Sequence, residues 1–238
     1  KAQAGQILGG GQPVVGRQVW GLYSYKWAGL DASGKPQGIL ADTVASYTKV
    51  MGFTGPNPNT KPEDLEYHGT STPLYAGNIL NTISYKGFDL SFNITYAYAY
   101  FFRRTSVNYN NLLPANTGAY AQSITHKDYA KRWQKAGDEQ FSTVPAMPAG
   151  SDFNLNSFYT SSAVLVEPGD HIRLRDIRIG YDISRLPIRK VVKRAHLTAT
   201  ISNLGILWRA NDQGLDPDFA SREIPAAKMY TIGLQLQF

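Results

Sequence analysis

The sequence predicts an all-β protein: an antiparallel, up-and-down segment of a transmembrane β-barrel, about seven or eight strands of a larger barrel, with long extracellular loops. The last nine residues are the first reason. Tyr230, Ile232, Leu234, Leu236 and Phe238 alternate with Thr231, Gly233, Gln235 and Gln237. Strict alternation marks a strand with one apolar and one polar face. The same alternation runs longer from Phe88 to Phe102. The third reason is that the connections sort by length onto two sides.

Composition fits such a wall. The chain has 15 Tyr, 10 Phe and 4 Trp but only 18% charged residues, which is low for a soluble domain. There is no cysteine, so no disulfide, thiolate metal site or thiol nucleophile is expected. No run of ~18 apolar residues is present, so no transmembrane helix is expected. The chain begins at Lys1 without a signal peptide, which reads as a mature product or the carboxy-terminal piece of a longer chain. The net charge of +6 gathers partly in Arg185, Arg189, Lys190, Lys193 and Arg194. A basic turn whose side chains snorkel to a phosphate-rich membrane surface accounts for it, and nucleic acid is not an expected partner.

The elements follow in order. Val14–Trp27 is strand-like, Asp31–Pro36 reads as a turn, and Thr54–Pro62, rich in Pro and Asn, is a loop. Leu74–Tyr85 precedes Lys86-Gly87, a two-residue break with glycine where a tight hairpin needs positive φ. Phe88, Leu90, Phe92, Ile94, Tyr96, Tyr98, Tyr100 and Phe102 then share one face. At ~3.3 Å per residue that strand would run roughly 50 Å, against ~17–20 Å in ordinary globular proteins. Arg103–Thr160 is long and polar, with a short helix expected around Ser123–Lys135.

In Ile172–Asp182 the apolar parity switches near Arg175-Asp176, which predicts a β-bulge. Ser184–Ala195 is a short connection that Pro187 keeps out of the ladder. Leu197 to about Trp208 is a strand, and Arg209–Ala226 leads to the last one. If that last strand ends on the periplasmic side, Lys86-Gly87 and Ser184–Ala195 fall there too. Arg209–Ala226, Arg103–Ser162 and roughly Ala28–Thr72 fall outside. Short connections inside and long ones outside is the asymmetry of outer-membrane barrels.

Several segments resemble the SusC/RagA family of TonB-linked outer-membrane receptors. They are Val15-Gly16-Arg17 through Gly29-Leu30-Asp31 with Gly34-Lys35-Pro36, then Pro73-Leu74-Tyr75-Ala76-Gly77 and Tyr85-Lys86-Gly87-Phe88-Asp89-Leu90. Gly169 to Ile177 with Gly180-Tyr181, then Ser202-Asn203-Leu204, Asp216-Pro217-Asp218 and Phe238, follow in the family's order. His171 departs from the pattern, where the family usually has an aromatic. The resemblance implies that residues 1–238 are the carboxy-terminal part of a receptor barrel, without the plug domain. It implies a place in the bacterial outer membrane and import of oligosaccharides or peptides. The implied partners are the rest of the barrel and its plug, a SusD-like surface lipoprotein acting as a lid, TonB, and outer-membrane lipid.

Candidate sites follow from parity. Tyr230, Ile232, Leu234, Leu236 and Phe238 are expected to face lipid, and Phe238 to help the last strand assemble. Tyr96, Tyr98, Tyr100 and Phe102 are expected to form an aromatic girdle, rather than a sugar-stacking platform. Asp89, Ser91, Asn93, Thr95, Gln235 and Gln237 are expected to face the lumen. Tyr120, Tyr129, Trp133, Phe141, Phe158 and Tyr159, on or near the longest loop, either contact ligand or lid or pack the loop on itself. Asp212, Asp216 and Asp218 read as a solvated loop; their spacing lacks a calcium-loop pattern. His68, His126, His171 and His196 lack metal-ligand spacing. No nucleophile–base pair stands out, so neither catalysis nor a cofactor is expected. The rival readings are a secreted β-sandwich carbohydrate-binding module and a passive porin or adhesin barrel.

Overall fold

The structure is a computed structural model that describes residues 8, 15–52, 61–112, 126–185, 192–219 and 226–237. Phe238, Tyr120, Arg189, Lys190 and most of the Thr54–Pro62 loop lie outside the described residues. In chain order the strands begin with β1 (Gly21–Tyr25), β2 (Trp27–Leu30), β3 (Pro36–Leu40) and β4 (Thr43–Ser46). Helix α1 (Tyr47–Met51), β5 (Leu65–Thr70), β6 (Tyr75–Tyr85), β7 (Phe88–Tyr98) and β8 (Phe101–Arg103) follow. Then come α2 (Tyr109–Leu112), α3 (Phe153–Thr160), β9 (Val166–Pro168), β10 (His171–Asp182), β11 (Arg194–Arg209) and β12 (Met229–Gln237).

These elements make two compact units: one from Lys1–Thr72 and Phe101–Glu167, the other from Pro73–Tyr100 and Pro168–Phe238. The second is a five-stranded sheet in the order β12-β11-β10-β7-β6, every neighbouring pair antiparallel. It is a meander. β6 and β7 pair residue for residue from Tyr75↔Tyr98 to Tyr85↔Phe88. The turn between them has φ of 47° at Lys86 and 89° at Gly87. Positive φ at both central residues is the hairpin geometry whose twist matches that of strands. The β6–β7 turn, the β10–β11 connection and the last residues of β12 lie at one end of the sheet, since Phe88 pairs with Tyr181, Asp182 with His196 and Arg194 with Gln237. The long connections leave from the other end.

The bulge expected near Arg175-Asp176 is present. Both ladders of β10 shift register between Leu174 and Asp176, leaving Arg175 as the extra residue. One inserted residue turns Ile177, Ile179 and Tyr181 to the same face as Ile172 and Leu174.

Three expectations are corrected. The long strand does not reach Phe102: β7 stops at Tyr98. Ala99 takes φ of 60°, and its N–H donates to Asp170 Oδ1 at 2.8 Å. The strand is therefore 11 residues long, or roughly 36 Å instead of 50 Å. The short helix in Ser123–Lys135 is, in its described part, a 3-10 turn over Lys127–Lys131. Residues 28–72 and 103–162 are not plain loops. They fold with β1 into the first unit, in which β2, β3 and β4 form a meander, and β1 pairs with β5. Asp31 nucleates the β2–β3 turn by accepting N–H bonds from Ser33 (2.8 Å) and Lys35 (2.9 Å).

The two units solve the burial problem differently. The first has a core of Tyr25, Tyr47, Val50, Leu65, Val107, Tyr109, Leu155, Phe158, Tyr159 and Leu165. A buried ion network supports it. Arg104 bonds the Asp128 carboxylate, Ser106 Oγ donates to that carboxylate at 2.7 Å, and Ser106 Oγ lies 2.8 Å from the Tyr159 hydroxyl. Burial pushes the Asp128 carboxyl up. The bonds from Arg104 and Ser106 and the Arg104 charge outweigh that and hold it below the usual carboxylate range. The second unit adds nothing to this core cluster. Most of its apolar side chains are displayed on one face of the sheet.

Candidate functional site

The five-stranded sheet is a wall with two chemically opposite faces. Residues directly opposite in an antiparallel ladder share a face, so the register assigns them. One row reads Tyr85, Phe88, Tyr181, Leu197 and Leu234. The next reads Ile83, Leu90, Ile179, Ala199 and Ile232, and the next Asn81, Phe92, Ile177, Ile201 and Tyr230. Asn81 is the one polar member of these rows. These residues are not core. Ile83 is 58% exposed, Ile179 50%, Leu234 58% and Ile232 80%.

Aromatics bound this face at both ends. Near the hairpin turn stand Tyr85, Phe88 and Tyr181, with the Phe88 and Tyr181 rings 4.3 Å apart. Near the long connections stand Tyr75, Tyr96, Tyr98 and Trp208. Tyr98 lies 5.7 Å from Tyr96 and 6.2 Å from Trp208, ring to ring. Phe88 and Tyr96 lie in the same strand, about 27 Å apart at ~3.4 Å per residue, or roughly 20 Å across a membrane for a strand tilted by ~40°. Barrels that cross a membrane display an apolar band ~25 Å tall between two aromatic girdles.

The opposite face is polar. Thr82 and Ser91 hydroxyls lie 3.0 Å apart, Ser84 Oγ donates to Asp89 Oδ1 at 2.5 Å, and Asn93 Nδ2 donates to Asp176 Oδ2 at 3.3 Å. Asp89, Ser91, Asp176, Arg178 and His196 line a shallow hollow of about 460 Å³ with Leu80, Thr82 and Gly180. Gln235 stands opposite His196, and Gln237 opposite Arg194. Among the described residues Leu80, Ile206 and Met229 are large apolar exceptions on this side.

The ladders thus bring Tyr230, Ile232, Leu234 and Leu236 together with Tyr96 and Tyr98 on the apolar face. They bring Asp89, Ser91, Asn93, Thr95, Gln235 and Gln237 together on the polar one. Tyr100 and Phe102 do not join the exposed aromatics of the apolar face. Beyond the break at Ala99 they are only 6% and 8% exposed, and the Tyr100 hydroxyl lies 3.2 Å from His171 Nδ1. Phe158 and Tyr159 are not contact residues either, because both are fully buried in the first unit's core. Tyr129 carries the Arg132 guanidinium 4.1 Å above its ring, and Trp133 Nε1 donates to Glu139 at 3.0 Å. Phe141 stays 88% exposed.

Asp216 and Asp218 do not stand free in the loop: both lie beside the Arg173 guanidinium, at 2.5 and 3.0 Å. Sequence reading missed this cluster because its members lie more than forty residues apart. The faint signal was an arginine at a polar-face position of β10. Among the described residues no three His, Cys, Asp or Glu side chains converge as metal ligands.

No family model matches the chain. A TonB-dependent receptor, P39, of Formosa agariphila is 28% identical over 158 residues, covering 65% of this chain and 14% of that protein. Among solved structures, the RagAB peptide transporter aligns with a TM-score of 0.61 and 19% identity, over 92% of this chain and 22% of its own. The RagAB peptide importer in its open-open state aligns with a TM-score of 0.60 and 19% identity, over 91% and 22%. The chain therefore spans less than a quarter of the length of these relatives. Register, the two aromatic rows and these likenesses agree on the fold: the chain is similar in sequence to a TonB-dependent receptor and has the fold of a segment of the RagAB transporter structures.

Proposed function

We propose that this chain is part of an outer-membrane transporter that imports oligosaccharides or peptides, driven through TonB and closed from outside by a SusD-like lipoprotein. The two-faced sheet carries the reading. A face with Ile232 80% exposed, flanked by aromatic belts, is costly in water and favourable in lipid. The opposite face offers hydroxyls, amides and balanced charges, the lining of a hydrated lumen. The polypeptide sits in the bacterial outer membrane, with the hairpin-turn end toward the periplasm and the first unit formed from the extracellular connections. Exposed Phe141 and the half-buried Tyr129 and Trp133 of that unit are the candidate contacts for lid or solute. The likeness to a structure described as a peptide importer favours peptides. A secreted β-sandwich module would bury its apolar face against a second sheet, and among the described residues this face has no such cover.

The test is uptake. In a strain lacking the intact receptor, plasmid-borne receptor should restore energy-dependent uptake of labelled peptides or oligosaccharides, and a protonophore should abolish it. Uptake that is indifferent to the protonophore would point to a passive porin. An intact protein that stays in the aqueous phase on detergent partitioning would overturn the barrel reading.

A further inference from the structure

Arg173 stands on the polar face of β10, opposite Thr95 of β7. Further along that face Arg178 is exposed. Arg173 is only 5% exposed and His171 3%. The difference is what lies over them. After β11 the chain folds back at Asn211, whose side chain accepts the Leu215 N–H at 2.9 Å and donates to the Leu215 carbonyl at 3.1 Å. Arg209 also donates to the Gly214 and Leu215 carbonyls. This small loop holds its own shape, buries Pro217 and delivers two carboxylates inward. Arg173 Nη2 donates to Asp216 Oδ1 at 2.5 Å and lies 3.0 Å from Asp218 Oδ2. Asp218 Oδ1 is also 3.7 Å from His171 Nε2. The Asp218 N–H donates to Asp216 Oδ1 at 3.1 Å, which ties the two acids to each other.

We propose that residues 211–219 are a strap, clasped by Arg173 onto the pore-facing side of the sheet, that narrows the mouth at the long-connection end. This rests on the reading that the polar face lines a pore. Arg173 is the fixed half of the clasp: it sits on a strand, is desolvated, and would be left as an unpaired buried charge if both acids departed. The two acids are unequal. Asp216 is 18% exposed and Asp218 39%. Solvent screens the outer pair more, so the Asp218 limb opens first and the strap swings from there. Because Asn211 and Arg209 keep the loop folded, it moves as one body instead of unravelling.

The test compares the intact receptor with its Asp218→Asn and Arg173→Met variants, in detergent or membrane. Hydrogen–deuterium exchange reads the strap. A hydrophilic maleimide on Thr95→Cys, beneath the clasp, reads access to the mouth. Asp218→Asn should speed exchange of the 211–219 amides by about tenfold and Arg173→Met by more, with β10 and β11 still protected. Labelling of Cys at position 95 should quicken several-fold. Unchanged exchange and labelling in Asp218→Asn overturns the clasp. If Arg173→Met also loosens β10, Asp218→Asn alone decides. A lipid-soluble maleimide on Thr95→Cys and on Ile232→Cys tests the underlying reading separately. Labelling at 95 in place of 232 would sink the pore assignment, whatever the strap does.

Discussion

Tyr96 lies over Gly77: a β-carbon on that glycine would stand 2.5 Å from the tyrosine hydroxyl oxygen and 2.8 Å from the ring carbon that bears it. The two residues are directly paired across β6 and β7. The glycine gives the ring a place to lie against the sheet, among the aromatics at the long-connection end. Gly77→Leu should push Tyr96 off the sheet at a cost of ~1–3 kcal/mol. Heat-modifiable gel mobility should then show a smaller assembled fraction, restored in part by Tyr96→Ala in the same chain. Normal assembly of Gly77→Leu would show that the belt does not need this contact.

On the proposed reading the apolar face meets lipid and should reject charge, while the polar face should accept it. Ile232→Arg should cost ~2–4 kcal/mol and sharply reduce membrane insertion, because its row lies between the belts. Gln235→Arg, three residues along the same strand on the opposite face, should insert nearly normally. Membrane fractionation compares the two. Equal insertion would mean the faces are misassigned.

Arg175 should matter more by its presence than by its side chain. Deleting it removes the bulge and turns Ile177, Ile179 and Tyr181 to the other face. The deletion should abolish assembly, whereas Arg175→Ala should be tolerated; outer-membrane yield of the two proteins checks this.

The first unit should be acid-sensitive through Asp128. Its carboxyl titrates below its unfolded value. Its stabilisation is therefore complete above the unfolded pKa, ~3.9, and is lost as the pH falls through the lower folded value. Asp128→Asn should remove that dependence and destabilise the unit by ~1–3 kcal/mol, the cost of breaking a buried charged bond, with Glu167 Oε1 still 3.6 Å from Arg104 Nε. Limited proteolysis within 104–160 at pH 7 and at pH 3 reads both effects. A wild-type unit as resistant at pH 3 as at pH 7 would argue against the ion network as its support.

Much of the wall was legible in sequence because a strand's faces follow from period two alone. Alternation in 230–236 and 88–98 assigned the two faces, and the parity switch at Arg175 located the bulge. The hairpin turn was readable from Lys86-Gly87, since few residues satisfy two positive φ angles. Where strands end was not legible. Alternation continues through Tyr100 and Phe102, yet Asp170, seventy-one residues on from Ala99, caps the strand at Tyr98. The same limit hid the first unit. Its polar, turn-rich segments look like loops until Phe158, Tyr159 and Tyr109 meet Tyr25, Tyr47 and Leu65 in one core.

The sequence by itself determined the wall: which side chains point each way, which connections are short, and where one extra residue is needed. Those are local properties of a pleated backbone. Only the tertiary structure decided which aromatics stand on the exposed sheet face and which are core, and that Asp216 and Asp218 belong to Arg173. Burial and ion pairing depend on chain segments that meet from far apart, and no local period encodes such a meeting.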